Sequence, residues 1–332
     1  MEPREQVSET EYEHDRYVTT PDKIRETVEK YGVAIVDNVL STKECDAFLD
    51  GMWSTVSHLT KNMPTPVLRT DQNTWRTFGK GLLPSHGMLL QFWGIGHAQC
   101  LWDIRMNPKV IRNFETVWNN TDLLVSFDGA AFLPPPEVTN LGWDSNKSWL
   151  HTDQSYTRNN FECLQSWVTA CDVNVGDATL VFLEASNKYH GRVAKEFNIT
   201  DPADWYKLSA EQQEFYIDEL GCDLQRVKCP KGAQVFWDSR TIHAGQGAMK
   251  GRAKQNVRCV GYMCYTPRNL ATPAFLKRKQ KHFADRRTMN HWPHKGKVFS
   301  KNPRIFGGEQ PNINPLPPPT LTKVGMRLAG HE

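Results

Sequence analysis

Along the first 120 residues apolar positions recur three and four apart, whereas from Leu123 onward they fall in short alternating or unbroken runs separated by turn residues. The first spacing is that of an amphipathic helix and the second that of a strand. Thr20-Pro21 predicts a helix start and Gly32 its end, because proline is preorganised for a first helical turn and glycine for the left-handed cap. Val33 to Leu40 reads as a strand. Ser41-Thr42-Lys43-Glu44 is a capping box, whose serine and glutamate each satisfy a free amide, and it opens a helix running to about His58. Residues 59 to 90, rich in Thr, Pro and Gly and containing Trp75, read as a long loop. A helix is predicted over 98 to 118, where Leu101, Ile104, Val110, Ile111, Phe114 and Val117 recur at helical spacing.

Strands are predicted over 123–132, 148–153, 164–173, 179–183, 224–228, 233–237 and 257–265. Helices first and strands later give an α+β chain with a mainly β core, an antiparallel barrel or sandwich. An insertion at 190–222 interrupts it, with Ser209-Ala210-Glu211-Gln212 capping a helix that ends near Gly221. Another helix should follow Thr272-Pro273, and Pro311 to Pro319 should be an extended tail or wrap. The expected organisation is a single domain over 1–332: helical support and a loop to 122, the β core over 123–266, and a basic helix and tail over 267–332.

Composition narrows the class. No run of about 18 apolar residues exists to span a bilayer, and the N-terminus is charged throughout, so a soluble, intracellular, cytoplasmic protein is expected. The eight cysteines form no Cys-x-x-Cys pair and read as reduced core thiols. The net charge of +3 is uneven: ten Lys/Arg against Asp285 alone fall in 272–304, leaving the rest acidic. Such an arm could hold an anionic partner, or be a solvated helix face and tail. No nucleic-acid motif accompanies it.

The candidate chemistry lies in His151-Thr152-Asp153. On an extended strand residues i and i+2 share a face, so His151 and Asp153 would project an imidazole and a carboxylate into one space. His243, directly after the apolar run Val235-Phe236-Trp237 and a short turn, can add a second imidazole. Two histidines and one carboxylate bind a metal by one face and leave other positions open, as a catalytic metal requires. On the 123–132 strand, alternation sets Ser126 and Asp128 on one face, where either could meet a cosubstrate or substrate. Tyr156 could border the substrate pocket, and Thr179 could offer a hydroxyl to a cosubstrate.

These pieces, FLPPP, WLHTDQSY, QSWVTACDVNVGDATLVFLEASNKYH and GAQVFWDSRTIHAG with its Arg-bearing strand, lie in one order over roughly residues 123 to 266. In that order the chain resembles the phytanoyl-CoA dioxygenase-like family of iron(II)- and 2-oxoglutarate-dependent oxygenases. The resemblance implies a double-stranded β-helix of the jelly-roll, cupin-like kind, with His151, Asp153 and His243 as iron ligands. It also implies oxidative decarboxylation of 2-oxoglutarate with dioxygen, releasing succinate and CO2, with ascorbate as a reductant. A small-molecule substrate would be hydroxylated at an unactivated carbon, because relatives that halogenate have lost the carboxylate retained here as Asp153. An arginine should bind the distal carboxylate of 2-oxoglutarate. Family spacing favours Arg252, although Gly251-Arg252-Ala253-Lys254 reads as an exposed turn; Arg258 opens the next strand and can aim its planar fork inward, which makes it the preferred candidate. Leu133 stands where many relatives carry lysine, so no contact is inherited there. Two other readings stay open: a catalytically silent barrel binding a small molecule or an anionic partner, and a cupin-like metalloenzyme without 2-oxoglutarate. The Trp-containing loop before residue 90 and the 190–222 insertion should shape substrate choice.

Overall fold

In the computed structural model, which describes residues 11–82, 88–145, 147–303 and 309–332, the strand-forming runs pair into two sheets. The strands are β1 (Tyr12–Glu13), β2 (Val33–Val36), β3 (Leu89–Leu90), β4 (Leu123–Val125), β5 (Ala130–Leu133), β6 (His151–Thr152), β7 (Leu164–Thr169), β8 (Thr179–Leu183), β9 (Tyr206–Lys207), β10 (Leu224–Val227), β11 (Gln234–Asp238), β12 (His243–Gln246) and β13 (Arg258–Pro267). One sheet has the order β1-β10-β8-β12-β6-β9, and the other β2-β11-β7-β13-β5-β3 with β4 also on β13. Every pairing between them is antiparallel except β1 with β10. This is the expected α+β fold with a jelly-roll, cupin-like double-stranded β-helix core.

Alternation decides what each strand residue touches. Val33, Ile35, Trp167, Val235, Trp237 and Val260 pack between the sheets with Leu180, Phe182 and Val227. Their neighbours Ala34, Val36, Val168, Phe236 and Cys259 pack instead against the helices. Strands buried on both faces explain why the runs are almost continuously apolar.

The helices are α1 (Ile24–Tyr31), α2 (Thr42–Thr60), α3 (Arg76–Gly81), α4 (Gln99–Arg105), α5 (Pro108–Trp118), α6 (Pro136–Thr139), α7 (His190–Glu196), α8 (Ala210–Glu214), α9 (Pro273–Ala284) and α10 (Lys323–Leu328). Both capping boxes form, at Ser41 and at Ser209. Gly32 closes α1 at φ +83°, donating its N–H to the Val28 carbonyl. The 98–118 segment is two helices rather than one. Pro108 cannot continue a preceding ladder, and the Asn107 side chain accepts from Lys109 N at 2.9 Å to start α5 afresh. The 123–132 run likewise divides into β4 and β5. Between them Gly129 passes so close to β3 that an added Cβ would lie 1.8 Å from the Leu90 carbonyl oxygen. The expected loop over 59–90 contains α3 and β3, the 148–153 strand is regular only at β6, and the chain ends on α10.

The basic segment is packed into the fold. Phe275, Lys279, Met289 and Trp292 are buried; Lys279 Nζ donates to the Val125 carbonyl at 2.5 Å and sits 4.0 Å from the Phe127 ring. Burial drives its pKa down to about 7. Lys295 pairs with Glu162 and Lys281 with Asp285; Arg304 lies outside the described residues. The Pro311–Pro319 run wraps, with Asn314 N donating to the Leu59 carbonyl at 2.9 Å and His58 Nε2 bonded to the Pro315 carbonyl at 2.9 Å. Among the described residues no helix is long and apolar enough to cross a membrane. The eight cysteines are free, seven of them buried.

Three histidines away from the triplet are packed as neutral groups: His97 beside Phe127, His190 stacked on Tyr156 at 4.3 Å, and His294 bonded to Thr266 Oγ1 at 3.1 Å. Burial lowers their pKa values to about 3, 4 and 4. Unfolded histidines titrate near 6.5, so below that value the unfolded chain binds more protons and stability falls with pH through the window down to about 4. The melting temperature is expected to drop by at least about 5 °C between pH 7 and pH 4.5; a flat profile over that range would contradict this packing.

Candidate metal centre

The site begins with a strand pairing. His243, first residue of β12, is the direct partner of His151 on β6, and it is also opposite Phe182 on β8. Cross-strand partners point to the same face, and Phe182 packs between the sheets, so both imidazoles enter the interior of the β-helix. Asp153 leaves β6 on the same side. One donor atom from each of the three lies within 4.8 Å of the others. His243 Nε2 is 3.3 Å from Asp153 Oδ2, His151 Nε2 is 3.7 Å from Asp153 Oδ1, and all three residues are buried.

Hydrogen bonds set the state of each donor. His151 Nδ1 lies 3.0 Å from the Trp149 carbonyl and His243 Nδ1 lies 2.9 Å from the Thr241 carbonyl. A carbonyl can only accept, so each Nδ1 carries the proton and each Nε2 presents its lone pair inward. Gln165 on β7 donates to Asp153 Oδ2 at 2.8 Å, and Trp237 Nε1 donates to His243 Nε2 at 3.2 Å, holding the lone pair that a metal would take in its place. The backbone after β6 is fixed to the turn before β12: Asp153 N and Gln154 N both donate to the Ser239 carbonyl at 3.0 Å, as does Thr152 Oγ1.

Electrostatics agree with a ligand-ready set. Burial, helped by neighbouring His243, pushes the His151 pKa down to about 4. Burial would raise the Asp153 carboxyl, but His291, His151 and His243 outweigh it and hold it well below the usual range. Neutral imidazoles and an ionised carboxylate are the forms that bind a divalent metal. Two oriented imidazole nitrogens and one carboxylate fit iron(II) by donor type and number.

The other candidates divide. Arg258 is buried on the face of β13 that carries Val260, toward the space between the sheets. It donates through Nη1 to the Ala178 carbonyl, lies 5.8 Å from the Trp167 ring, and has no partner among the described residues for its buried Nε. Arg252 is not an exposed turn residue, its side chain being 2% accessible. It forks onto Glu137 at 2.7 and 2.8 Å and meets Asp177 at 2.7 Å, so its donors are already committed. Thr179 is not brought to the centre: register puts it on the face of Val181, away from Phe182, and its hydroxyl donates to the Val227 carbonyl at 2.7 Å. Ser126 joins β4 to β13, donating to Asp128 at 2.6 Å and accepting from Cys264 N at 2.8 Å. Tyr156 lies under the insertion, its hydroxyl 3.1 Å from that of Tyr216. Asp128 is buried with its pKa raised by that burial and lowered in opposition by His291.

Several site residues escaped sequence reasoning. Gln165 was signalled only by the parity it shares with Trp167 on β7. His291 acts electrostatically on Asp153, Asp128 and His151, and has a buried, unpartnered Nε2. It comes from the basic segment, where no local pattern marked it. Removing the Gln165 contact tests the site's architecture. Gln165→Leu is expected to weaken cobalt(II) binding about 10- to 100-fold with His151, Asp153 and His243 intact; titration showing unchanged affinity would refute the role given to Gln165.

Comparison with known proteins agrees with this geometry. The family profile described as phytanoyl-CoA dioxygenase (PhyH) matches residues 28–252. The Ava biosynthesis cluster protein O of Aspergillus versicolor is 24% identical over 280 residues, covering 82% of this chain and 86% of that protein. Among solved structures, a hypothetical protein from Escherichia coli shares the fold with a TM-score of 0.56 at 14% identity, over 95% of this chain and 85% of that one. The product of GlcNAc-inducible gene 2 from Candida albicans does so with a TM-score of 0.52 at 14% identity, over 82% and 68%. With a matching profile across most of the chain and a buried His-Asp-His donor set at its centre, the protein belongs to the phytanoyl-CoA dioxygenase (PhyH) family of non-haem iron, 2-oxoglutarate-dependent oxygenases.

Proposed function

We propose that the whole chain is one oxygenase domain that hydroxylates an unactivated carbon of a small molecule, converting 2-oxoglutarate and dioxygen to succinate and CO2. The observation that carries this reading is the convergence of His151, Asp153 and His243 with both Nδ1 atoms tied to backbone carbonyls. Iron(II) held there supplies the open positions at which a keto-acid and dioxygen meet, with ascorbate as a reductant that keeps the metal ferrous. The protein's share is orientation: Gln165 fixes one oxygen of Asp153, and the two carbonyls fix the imidazoles. Asp153 fills the position that halide would need, which favours hydroxylation.

Arg258 is the proposed partner of the distal carboxylate of 2-oxoglutarate. Its orphaned Nε and inward face leave it a donor for a planar carboxylate, a contact that guanidinium geometry makes directional. Arg252 is assigned instead to holding Glu137 and Asp177 together, beside a small cleft that Arg258 also lines. Asp128, buried beside Ser126, and His291, whose buried Nε2 has no partner among the described residues, are proposed to face the substrate. Lys277, Arg278, Lys297 and Lys301 stay exposed and would be the surface for an anionic partner, whose affinity would then fall as salt rises.

Two measurements test the reading. Protein with iron(II), ascorbate and 2-oxoglutarate is expected to form succinate slowly, and faster with a substrate; absence of both turnover and 2-oxoglutarate binding would favour a catalytically silent barrel. Arg258→Ala is expected to weaken 2-oxoglutarate binding about 10- to 100-fold, the value of a charge-assisted hydrogen bond. Arg252→Ala should mainly lower the melting temperature, since it removes the guanidinium that neutralises buried Asp177 and ties it to Glu137. The opposite ranking would transfer the cosubstrate to Arg252.

A further inference from the structure

Two exposed tryptophans stand against the metal-ligand candidate His151. Trp149 stacks on His151 with ring centroids 4.9 Å apart and planes 18° from parallel, and Trp205 lies against the same imidazole at 5.7 Å and 38°. Both are large apolar side chains left 37% and 54% accessible, where an ordinary fold would bury them. Neither is loose. Trp149 Nε1 donates to the Gly245 carbonyl at 2.9 Å, which pins the indole and leaves its outer face without a hydrogen-bonding task. Beside it the methyl of Met88 rests over Gly245, 2.8 Å from where a Cβ would stand, adding a soft apolar edge.

Trp205 is held in place at a cost. Its φ is +68°, a left-handed conformation unfavourable for a bulky side chain. Its neighbours enforce it. Asp204 pairs with Arg158 and accepts from Ser155 N at 3.2 Å, while Tyr206 and Lys207 form β9 and pair directly with Thr152 and His151. The 190–222 insertion is thus stitched to the ligand strand on both sides of one strained, solvent-facing indole. Backbone strain of this kind persists where the surrounding structure over-determines it, often at ligand-binding positions.

We infer that the substrate is a planar aromatic or conjugated ring system that docks on the Trp149 and Trp205 indoles beside His151, an inference that rests on the oxygenase reading and names the substrate class of that site. Flat rings match the geometry because Trp149 lies over His151 nearly parallel to it, so its outer indole face is a flat platform backed by the imidazole. Offset stacking rewards such contact beyond its buried area, and a rigid ligand loses little conformational freedom on docking. A flexible acyl chain would gain the area without the stacking.

The test uses nickel(II)-loaded protein with 2-oxoglutarate present, so that binding is read without turnover. Anthraquinone-2-sulfonate is the planar probe and decanoate the aliphatic comparator. The wild type is expected to bind the planar probe at least about tenfold more tightly than decanoate, with quenching of tryptophan fluorescence. Trp205→Ala should lose that affinity by about tenfold or more, and Trp205→Phe should recover part of it. Equal or tighter binding of decanoate, no binding of the planar probe by the wild type, or an unchanged affinity in Trp205→Ala would each overturn the inference. The 2-oxoglutarate affinity of the same preparations separates the two readings: its absence in the wild type refutes the oxygenase site itself, whereas intact 2-oxoglutarate binding with a Trp205-insensitive probe refutes the ring substrate alone.

Discussion

The register of β6 against β12 is the constraint on which the site depends. His151 and His243 are far apart in sequence and become direct cross-strand partners. A slip of one residue would turn one imidazole out of the interior. Three bonds to the Ser239 carbonyl prevent that slip, from Thr152 Oγ1, Asp153 N and Gln154 N. The same turn is braced by Arg240, whose guanidinium forks onto buried Asp238. Ligand geometry is therefore a property of the sheet, and the donors need little rearrangement to converge.

Burial then selects the protonation states. An isolated buried carboxylate would favour its neutral form, yet Asp153 stays ionised because imidazoles surround it and Gln165 donates to it. His151 is kept neutral by the same burial. One interior thus gives opposite outcomes to acid and base, and both outcomes favour metal ligation. Arg105 and Lys279, also buried, are satisfied differently, by backbone carbonyls: Arg105 donates to Gly96 at 2.5 Å and to Asp128 at 2.6 Å, and Lys279 to Val125. Lys279 shows why the basic C-terminal segment is not simply an arm in solvent.

Much of the core was legible because it is written in local patterns. The i, i+2 spacing of His151 and Asp153, the Ser41 and Ser209 capping boxes, and the apolar runs of β7, β8, β11 and β13 need no tertiary information. His243 was offered by its place just after the Val235-Phe236-Trp237 run, and the resemblance to a known family singled it out as the third ligand. What stayed hidden depends on contacts between distant segments. The break at Pro108 was visible as a proline, but periodicity on both sides disguised it. Arg252 looks exposed in a Gly-Arg-Ala-Lys turn, and only Glu137 and Asp177 make it buried. Thr179 lies on the face of β8 away from Phe182 through register, which sequence does not give. His291 and Trp205 reach the site from a tail and an insertion, neither of which carries a periodic signal.

The central claim is that three side chains form one ferrous site able to chelate a keto-acid. Visible absorption of the anaerobic protein tests it most directly: iron(II) and 2-oxoglutarate together should give a metal-to-ligand charge-transfer band that saturates at one iron per chain and is lost in His243→Ala. Failure of the band to form, or its survival in His243→Ala, would contradict the account.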